Sequence, residues 1–254
     1  MKIAIVGYGT MGHALLPYAE GKGHTVTAII DPHSAERRVT HKGLDASALE
    51  GCDVAIEFSA AQGIEERIAL YAQTRTPAVV ATTGWYDRLP ELKATYADAP
   101  IIWSGNYAIG VQLFYLIVRR AAELFNRFDD YDVLVNEWFH AKKADSPSGT
   151  ASTLASILIE ELDGKTTPQS ARLDRRRSAE EIHVSSVRGG YTAGEHTVTF
   201  DSPADTITLR HASRSREGYL AGALQAAQWL EEGHTGFCSF EEVLADLFAS
   251  SQRG

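Results

Sequence analysis

The feature that leaves this chain least freedom is Gly7-Tyr8-Gly9-Thr10-Met11-Gly12, set directly after "KIAIV". Residues 2–6 are short, β-branched and apolar, and read as a buried strand. The following "HALLPYAEGKGH" has helical spacing and stops at Gly21 and Gly23, and "TVTAII" reads as a second strand ending at Asp31. A G-x-G-x-x-G pattern alone is a weak signal. Between a strand and a helix, with an acid 19 positions beyond its last glycine, it has the context of a dinucleotide fingerprint. Gly7 permits the tight turn, Gly9 lets a pyrophosphate approach the backbone, and Gly12 lets the helix pack on the strand. The helix start offers unpaired N–H groups to phosphate. Asp31 can accept from ribose hydroxyls, which favours NAD, while Arg37 and Arg38 leave NADP open. The plainer readings are an ordinary tight turn, a loop cap at Asp31 and a solvated arginine pair.

The alternation continues. Strands are expected at 53–59, 77–83 and 100–105, with helices at 63–74 and 89–99 between them, which implies a parallel, doubly wound sheet. Ligands on such sheets bind beyond the carboxyl ends of the strands. That places Phe58, Ser59, Thr82, Thr83, Gly84, Asn106 and Tyr107, with Tyr8, Thr10 and Met11 of the glycine turn, beside a cofactor. Loop capping is the competing reading for these residues.

After Asn106 the pattern changes. Residues 110–128 form a long apolar helix, 131–139 alternate as a strand, and 149–162 form a helix with Leu154, Leu158 and Leu162 one turn apart. Ser148 or Ser146 is the expected N-cap of that helix, and Pro147 suits the approach. His140, Lys142 and Lys143 lead straight into it. With the N–H groups of Ser148, Gly149 and Thr150 they are expected to make a compact cationic pocket for a small carboxylate. The alternative is a basic surface loop. Residues 182–200 and 206–213 alternate with period two and extend an open mixed sheet; 216–232 form a final helix that returns to the first domain. The fold class is therefore α/β: an N-terminal Rossmann domain (1–106 with 216–254) and a C-terminal α+β domain with an open mixed sheet (107–215).

Composition narrows the function. With 254 residues, 44% of them hydrophobic, the chain can build its own core. No apolar run approaches the roughly 18 to 20 residues of a membrane span, and the glycine-interrupted start does not read as a signal peptide. A net charge of −9 argues against nucleic acid or an anionic membrane as partners. Two cysteines, Cys52 and Cys238, outside any Cys/His cluster argue against zinc and against a disulfide framework. The expected setting is cytoplasmic.

The segments "VGYGTMG", "EFS", "ATTG", "NYAIGV", "KKADSPSGTA", "RGGYTAGEHTV" and "HASRSREGYLAGA", in this order, resemble the dihydrodipicolinate reductase (4-hydroxy-tetrahydrodipicolinate reductase) family over nearly the whole chain. The resemblance implies a homotetrameric oxidoreductase that reduces a cyclic, imine-derived dicarboxylate with NADH or NADPH in diaminopimelate and lysine biosynthesis. It implies that Lys143 is the motif lysine, that Ser148, Gly149 and Thr150 hold a substrate carboxylate, and that His140 binds substrate. Gly7, Gly12, Asp31, Thr83 and Gly84 match cofactor positions; Arg188 and His196 match sheet residues without an assigned role. The chain also departs from the family. Where the usual motif is E-x-H-H, this chain has Glu137-Trp138-Phe139-His140, so the first histidine, the family's general acid, is Phe139. Lys143 and His140 become the catalytic candidates. Two other readings stay open: a reductase of a related imine or keto acid remodelled around Phe139 and Trp138, and a non-catalytic nicotinamide-binding regulator.

Overall fold

A computed structural model describes the backbone of residues 1–251 and the side chains of residues 1–247. In chain order the elements are β1 (Lys2–Val6), α1 (Thr10–Gly21), β2 (Thr25–Ile30), β3 (Val54–Glu57), α2 (Ile64–Thr74), β4 (Ala78–Val80), α3 (Leu89–Thr95), β5 (Ile101–Trp103), α4 (Ile109–Phe125), β6 (Asp132–Phe139), α5 (Gly149–Glu161), β7 (Thr167–Gln169), β8 (Glu181–Arg188), β9 (Glu195–Asp201), β10 (Thr206–Ala212), α6 (Glu217–Glu231), β11 (Phe237–Ser239) and α7 (Phe240–Ser251). Two compact units result: Met1–Ala108 with the chain from Tyr219 onward, and Ile109–Gly218. Of the stretch assigned to the first domain from sequence, residues 252–254 lie outside the described residues.

The first unit holds a six-stranded sheet in the order β11-β5-β4-β3-β1-β2, every pair parallel. A parallel sheet is covered on both faces, so its strands read as continuous apolar runs. Ile3, Ile5, Ile56, Ile101 and Ile102 are accordingly fully buried. The chain leaves β1 toward β2 on one side and returns to β3 on the other. That reversal opens the crevice beyond the strand ends where the glycine turn lies. Gly222 of α6 packs so closely on the Tyr107 carbonyl that a Cβ there would overlap the oxygen.

The second unit holds a five-stranded mixed sheet, β10-β9-β6-β8-β7. β6 runs parallel to β8 and antiparallel to β9. Period-two alternation sends Val133, Val135, Val198 and Phe200 inward. α4 and α5 pack on each other, and α5 on β6 and β8. Trp138 and Val187, on the opposite parity, stay 44% and 57% exposed, so that face of the sheet carries no helix of its own unit.

Four elements differ from the sequence expectation. The helix read as final, α6, is followed by β11 and α7, and β11 pairs with β5 as an edge strand. β7 joins the edge of the mixed sheet beside β8; its Pro168 is tolerated at an edge, where a missing N–H costs no ladder bond. The helix expected at 89–99 stops at Thr95. Among the described residues no helix is long and apolar enough to cross a membrane, and no group of three or more His, Cys, Asp or Glu is placed to hold a metal ion.

Candidate active site

In the first unit the glycine turn joins β1 to α1. Gly7 has φ +91°, and a Cβ there would come within 2.7 Å of the Ser59 backbone nitrogen. A Cβ on Gly12 would overlap the Gly7 carbonyl oxygen, whereas Gly9 has no neighbouring atom within 4 Å of where its Cβ would sit. The turn is thus closed on its inner side at Gly7 and Gly12 and open at Gly9. Gly9 is the N-cap of α1 and supplies no side-chain cap, which leaves the first N–H groups of the helix for an anion. Thr10 is exposed and Met11 half-buried.

Asp31 ties this turn to the loop after β2. One carboxylate oxygen accepts from the Tyr8 N–H at 2.7 Å, and the other from the His33 and Ser34 N–H groups at 2.8 Å each. Partial burial opposes its charge, but these bonds outweigh it and lower its pKa. The cap reading of Asp31 is therefore realised, with lone-pair capacity left over for a ribose. His13 stacks on Tyr8 with ring centroids 4.0 Å apart and bridges the Gly9 carbonyl and the Glu36 carboxylate. Arg37 and Arg38 are exposed.

The other strand ends are organised by Glu57, whose side chain is fully buried. It accepts from the Ser59 N–H and hydroxyl, Arg67 Nε at 3.0 Å, the Tyr71 hydroxyl at 2.7 Å and the Thr82 hydroxyl at 3.2 Å. Ser59 and Thr82 thus spend their hydroxyls on an internal carboxylate. Phe58 is half-buried, and Thr83 and Gly84 are exposed, Gly84 with φ +89°. Asn106 Oδ1 accepts from the Ala108 N–H. Tyr107, expected beside the cofactor, instead has a fully buried side chain, with its hydroxyl at 3.1 and 2.9 Å from the Val80 and Ile102 carbonyls. Its ring belongs to the core, and burial pushes the phenol well above its usual pKa.

In the second unit β6 ends at Phe139 and delivers the loop 140–148. His140 N–H donates to the Thr192 carbonyl at 3.0 Å, and Lys143 N–H to the His140 carbonyl at 3.1 Å. The Lys143 ammonium lies 2.8 Å from Asp145 Oδ1 and 4.6 Å from the Phe139 ring centroid. Arg188 lies 5.4 Å from the same centroid. One edge of that ring meets Gly194, where a Cβ would lie 2.5 Å from it. The Lys143 ammonium lowers the Asp145 pKa. Lys142 is exposed.

Beneath the loop sits Glu137, its side chain fully buried. It accepts from the Ser148 N–H at 3.0 Å, the Ser186 hydroxyl at 2.7 Å and Arg188 Nη2 at 2.6 Å, with His196 Nε2 at 3.6 Å. Burial works against its ionisation, but His196, Ser148, Arg188 and Ser186 together hold its pKa far below the carboxylate range. Ser148 is the N-cap of α5, its Oγ accepting from the Ala151 N–H at 3.1 Å.

The sequence expectation is corrected here in three respects. The Ser148 N–H is taken by Glu137, so the open start of α5 begins at exposed Gly149 and half-buried Thr150. The pocket is less cationic than Lys142, Lys143 and His140 suggest, because Asp145 and Glu137 each pair with a cation. Phe139 and Trp138, around which the alternative reading remodels one site, lie on opposite faces of β6, and Trp138 Nε1 donates to the Gly189 carbonyl at 2.8 Å. Glu57 and Glu137, the centres of the two constellations, were given no role from the sequence. The parity of "DVLVNE" and the apolar run of "DVAIE" carry the signal, since both put an acid at a core position.

Comparison with known proteins gives concordant matches. The model described as dihydrodipicolinate reductase, N-terminus, matches residues 1–107, and its C-terminal counterpart residues 110–244. The 4-hydroxy-tetrahydrodipicolinate reductase of Christiangramia forsetii is 32% identical over 250 residues, covering 98% of this chain and 99% of the relative. That of Staphylococcus haemolyticus is 34% identical over 247 residues, covering 96% and 100%. Among solved structures, dipicolinate-bound dihydrodipicolinate reductase from Paenisporosarcina sp. TG-14 superposes with a TM-score of 0.77 at 22% identity, covering 96% of this chain and 99% of that one. At that identity the likeness is one of fold.

Proposed function

Since the chain belongs to the dihydrodipicolinate reductase family, we propose that its two constellations divide one reaction between them: nucleotide binding in the first unit, and binding and protonation of a small cyclic dicarboxylate in the second. Members of the family are NAD(P)H-dependent oxidoreductases acting on an imine-derived substrate. A reduced nicotinamide, when bound, supplies the hydride. The open side of the turn at Gly9 and the uncapped start of α1 take its pyrophosphate; Asp31 takes the adenine ribose, which favours NADH over NADPH. Phe58, Ser59, Thr83, Gly84 and Asn106 form the nicotinamide end.

In the second unit Lys143 holds one carboxylate of the ring with His140, and the open start of α5 at Gly149 and Thr150, capped by Ser148, holds the other. Hydride addition at the unsaturated ring carbon leaves negative charge on the ring system, which the Lys143 ammonium stabilises electrostatically. Phe139 has no proton to give, so Lys143 also supplies the proton, directly or through water. The observation that carries this reading is the seat of Lys143, held between Asp145 and the face of Phe139 on the loop that leads into the capped start of α5. The protein acts as a homotetramer in the cytoplasm, and the helix-free face of the mixed sheet, with Trp138 and Val187 exposed, supplies an apolar contact surface.

Growth rescue tests the reaction. The gene is expected to restore growth of a diaminopimelate-requiring strain that lacks this reductase. Failure to rescue while the protein is soluble and binds nicotinamide nucleotide would assign it a different imine. Light scattering tests the assembly, with a mass four times 27.7 kDa expected.

A further inference from the structure

We infer that Arg188 is a positioning residue for Lys143: it anchors the Asp145 backbone to the sheet, and the Asp145 carboxylate in turn holds the lysine. The inference rests on the ligand-binding role proposed above for Lys143.

It follows from where the arginine spends its donors. Arg188 closes β8 and pairs with Phe139 on the parallel strand β6, one step of the same face beyond the Glu137–Ser186 pair. Its guanidinium is always charged and carries five N–H donors. Both donors of Nη2 go inside the protein, one to Glu137 Oε1 and one to the Asp145 carbonyl, each at 2.6 Å. Nη1 donates to the Val187 carbonyl at 3.0 Å. Nε is buried and has no hydrogen-bond partner among the described residues, so it is closed to a ligand as well. An arginine fork grips a carboxylate through Nε with Nη2 or through Nη1 with Nη2. Both forks need Nη2, and Nη2 is spent. Arg188 thus offers a ligand carboxylate no bidentate grip.

What it does hold is the loop 140–148. The loop starts with the His140 and Ala141 N–H groups bonded to the Thr192 and Gly190 carbonyls, and ends with the Ser148 N–H on Glu137. Lys143 lies between these ends. Its N–H reaches only as far as the His140 carbonyl, within the loop, and its ammonium pairs with Asp145 Oδ1 at 2.8 Å. The Asp145 side chain is 56% exposed, so its direction is set by its backbone more than by packing. Arg188 fixes that backbone at the carbonyl. The Lys143 bond, with a smaller share from the Arg188 charge, lowers the Asp145 pKa, which keeps the lysine's partner an anion. Without the bond from Nη2 the Asp145 peptide can turn, and the partner of Lys143 turns with it.

The probe is dipicolinate, a stable ring dicarboxylate, titrated calorimetrically into the full-length protein, with turnover read alongside so that weak binders are still compared. Arg188→Lys keeps a cation beside Glu137 but replaces the fork with a single ammonium on a shorter chain. The expected result is dipicolinate binding weakened about tenfold in Arg188→Lys, and no further loss when Arg188→Lys is added to Lys143→Ala. A direct ligand contact by Arg188, or a general loosening of the fold, would weaken binding equally in both backgrounds; that outcome overturns the inference, as does wild-type affinity in Arg188→Lys. Should Arg188→Lys lack a cooperative thermal transition, Glu137→Gln combined with Arg188→Gln removes the buried pair together and orphans neither charge, and it is read against Lys143→Ala in the same way. Wild-type affinity in Lys143→Ala overturns the inference together with the proposed role of Lys143. Wild-type turnover with dipicolinate binding indifferent to residue 188 removes the inference alone. Coupling of residues 143 and 188 in dipicolinate binding without turnover removes only the proposed reaction.

Discussion

Lys143 sits over the face of Phe139, its ammonium 4.6 Å from the ring centroid and 2.8 Å from the Asp145 carboxylate. Phe139, at the position where the resemblance implies a histidine acid, is therefore the seat of Lys143. A cation over an aromatic face gains about 0.5–2 kcal/mol, enough to favour one lysine rotamer over others. Phe139→Leu is expected to lower kcat by roughly twofold to thirtyfold, which is that range converted to a rate, while Phe139→Tyr stays near wild type. Phe139→His is expected to bring no gain, because an imidazole flanked by Lys143 and Arg188 is disfavoured in its protonated form. Steady-state kinetics of the three variants check this; a large rise in Phe139→His would mean that the site merely lacks its acid.

On the roles proposed for it, Lys143 supplies both the stabilising charge and the proton, and Lys143→Ala removes the two together. Turnover should fall by about 10²–10⁴, with NADH affinity unchanged in a fluorescence titration. A variant with near-normal turnover would shift the catalytic role to His140.

Glu137 makes stability depend on acid pH. Its folded pKa is depressed from the ordinary 4.5, so the unfolded chain takes up a proton first as pH falls. The stabilisation is fully present above about pH 4.5 and declines as pH drops below it toward the folded value. Denaturation midpoints at pH 7 and pH 3.5 should differ, and Glu137→Gln should reduce the difference. The same variant should lose about 3–5 kcal/mol at pH 7, because Arg188 is left without its buried partner. A pH response identical in wild type and variant would contradict this.

Gly222 tests the packing of α6. A Cβ at that position would overlap the Tyr107 carbonyl oxygen, so Gly222→Ala should cost about 1–3 kcal/mol as overpacking. Gly21 at the end of α1 has open space around it, and Gly21→Ala should be neutral or slightly stabilising. Thermal unfolding of the two variants side by side separates steric overlap from helix propensity.

What was legible in the sequence was what rests on local periodicity and on contiguous motifs. The strand–glycine turn–helix unit, the parallel sheet, the mixed sheet and the Ser148 cap all follow from near neighbours in sequence. β7 and β11 escaped because three residues such as "TPQ" or "FCS" are too short to show a period; they are strands only because an edge was there to pair with. The Glu137 bonds to Ser148, Ser186, Arg188 and His196 join residues 11 to 59 positions apart, and nothing local announces them. Tyr107 was misplaced because its position after a strand end is shared by cofactor-facing residues, and only the packing of α6 shows that its ring turns inward.

The central claim is reduction of the family's substrate by a protein with phenylalanine at the acid position. The most direct measurement follows nicotinamide absorbance with purified protein and freshly generated hydroxy-tetrahydrodipicolinate, with NADH and NADPH in parallel. Rapid oxidation, faster with NADH, is the expected result and would show that a histidine at position 139 is dispensable. No oxidation of either nucleotide, with both the nucleotide and dipicolinate still bound, would contradict the claim and make Phe139 the mark of a changed substrate.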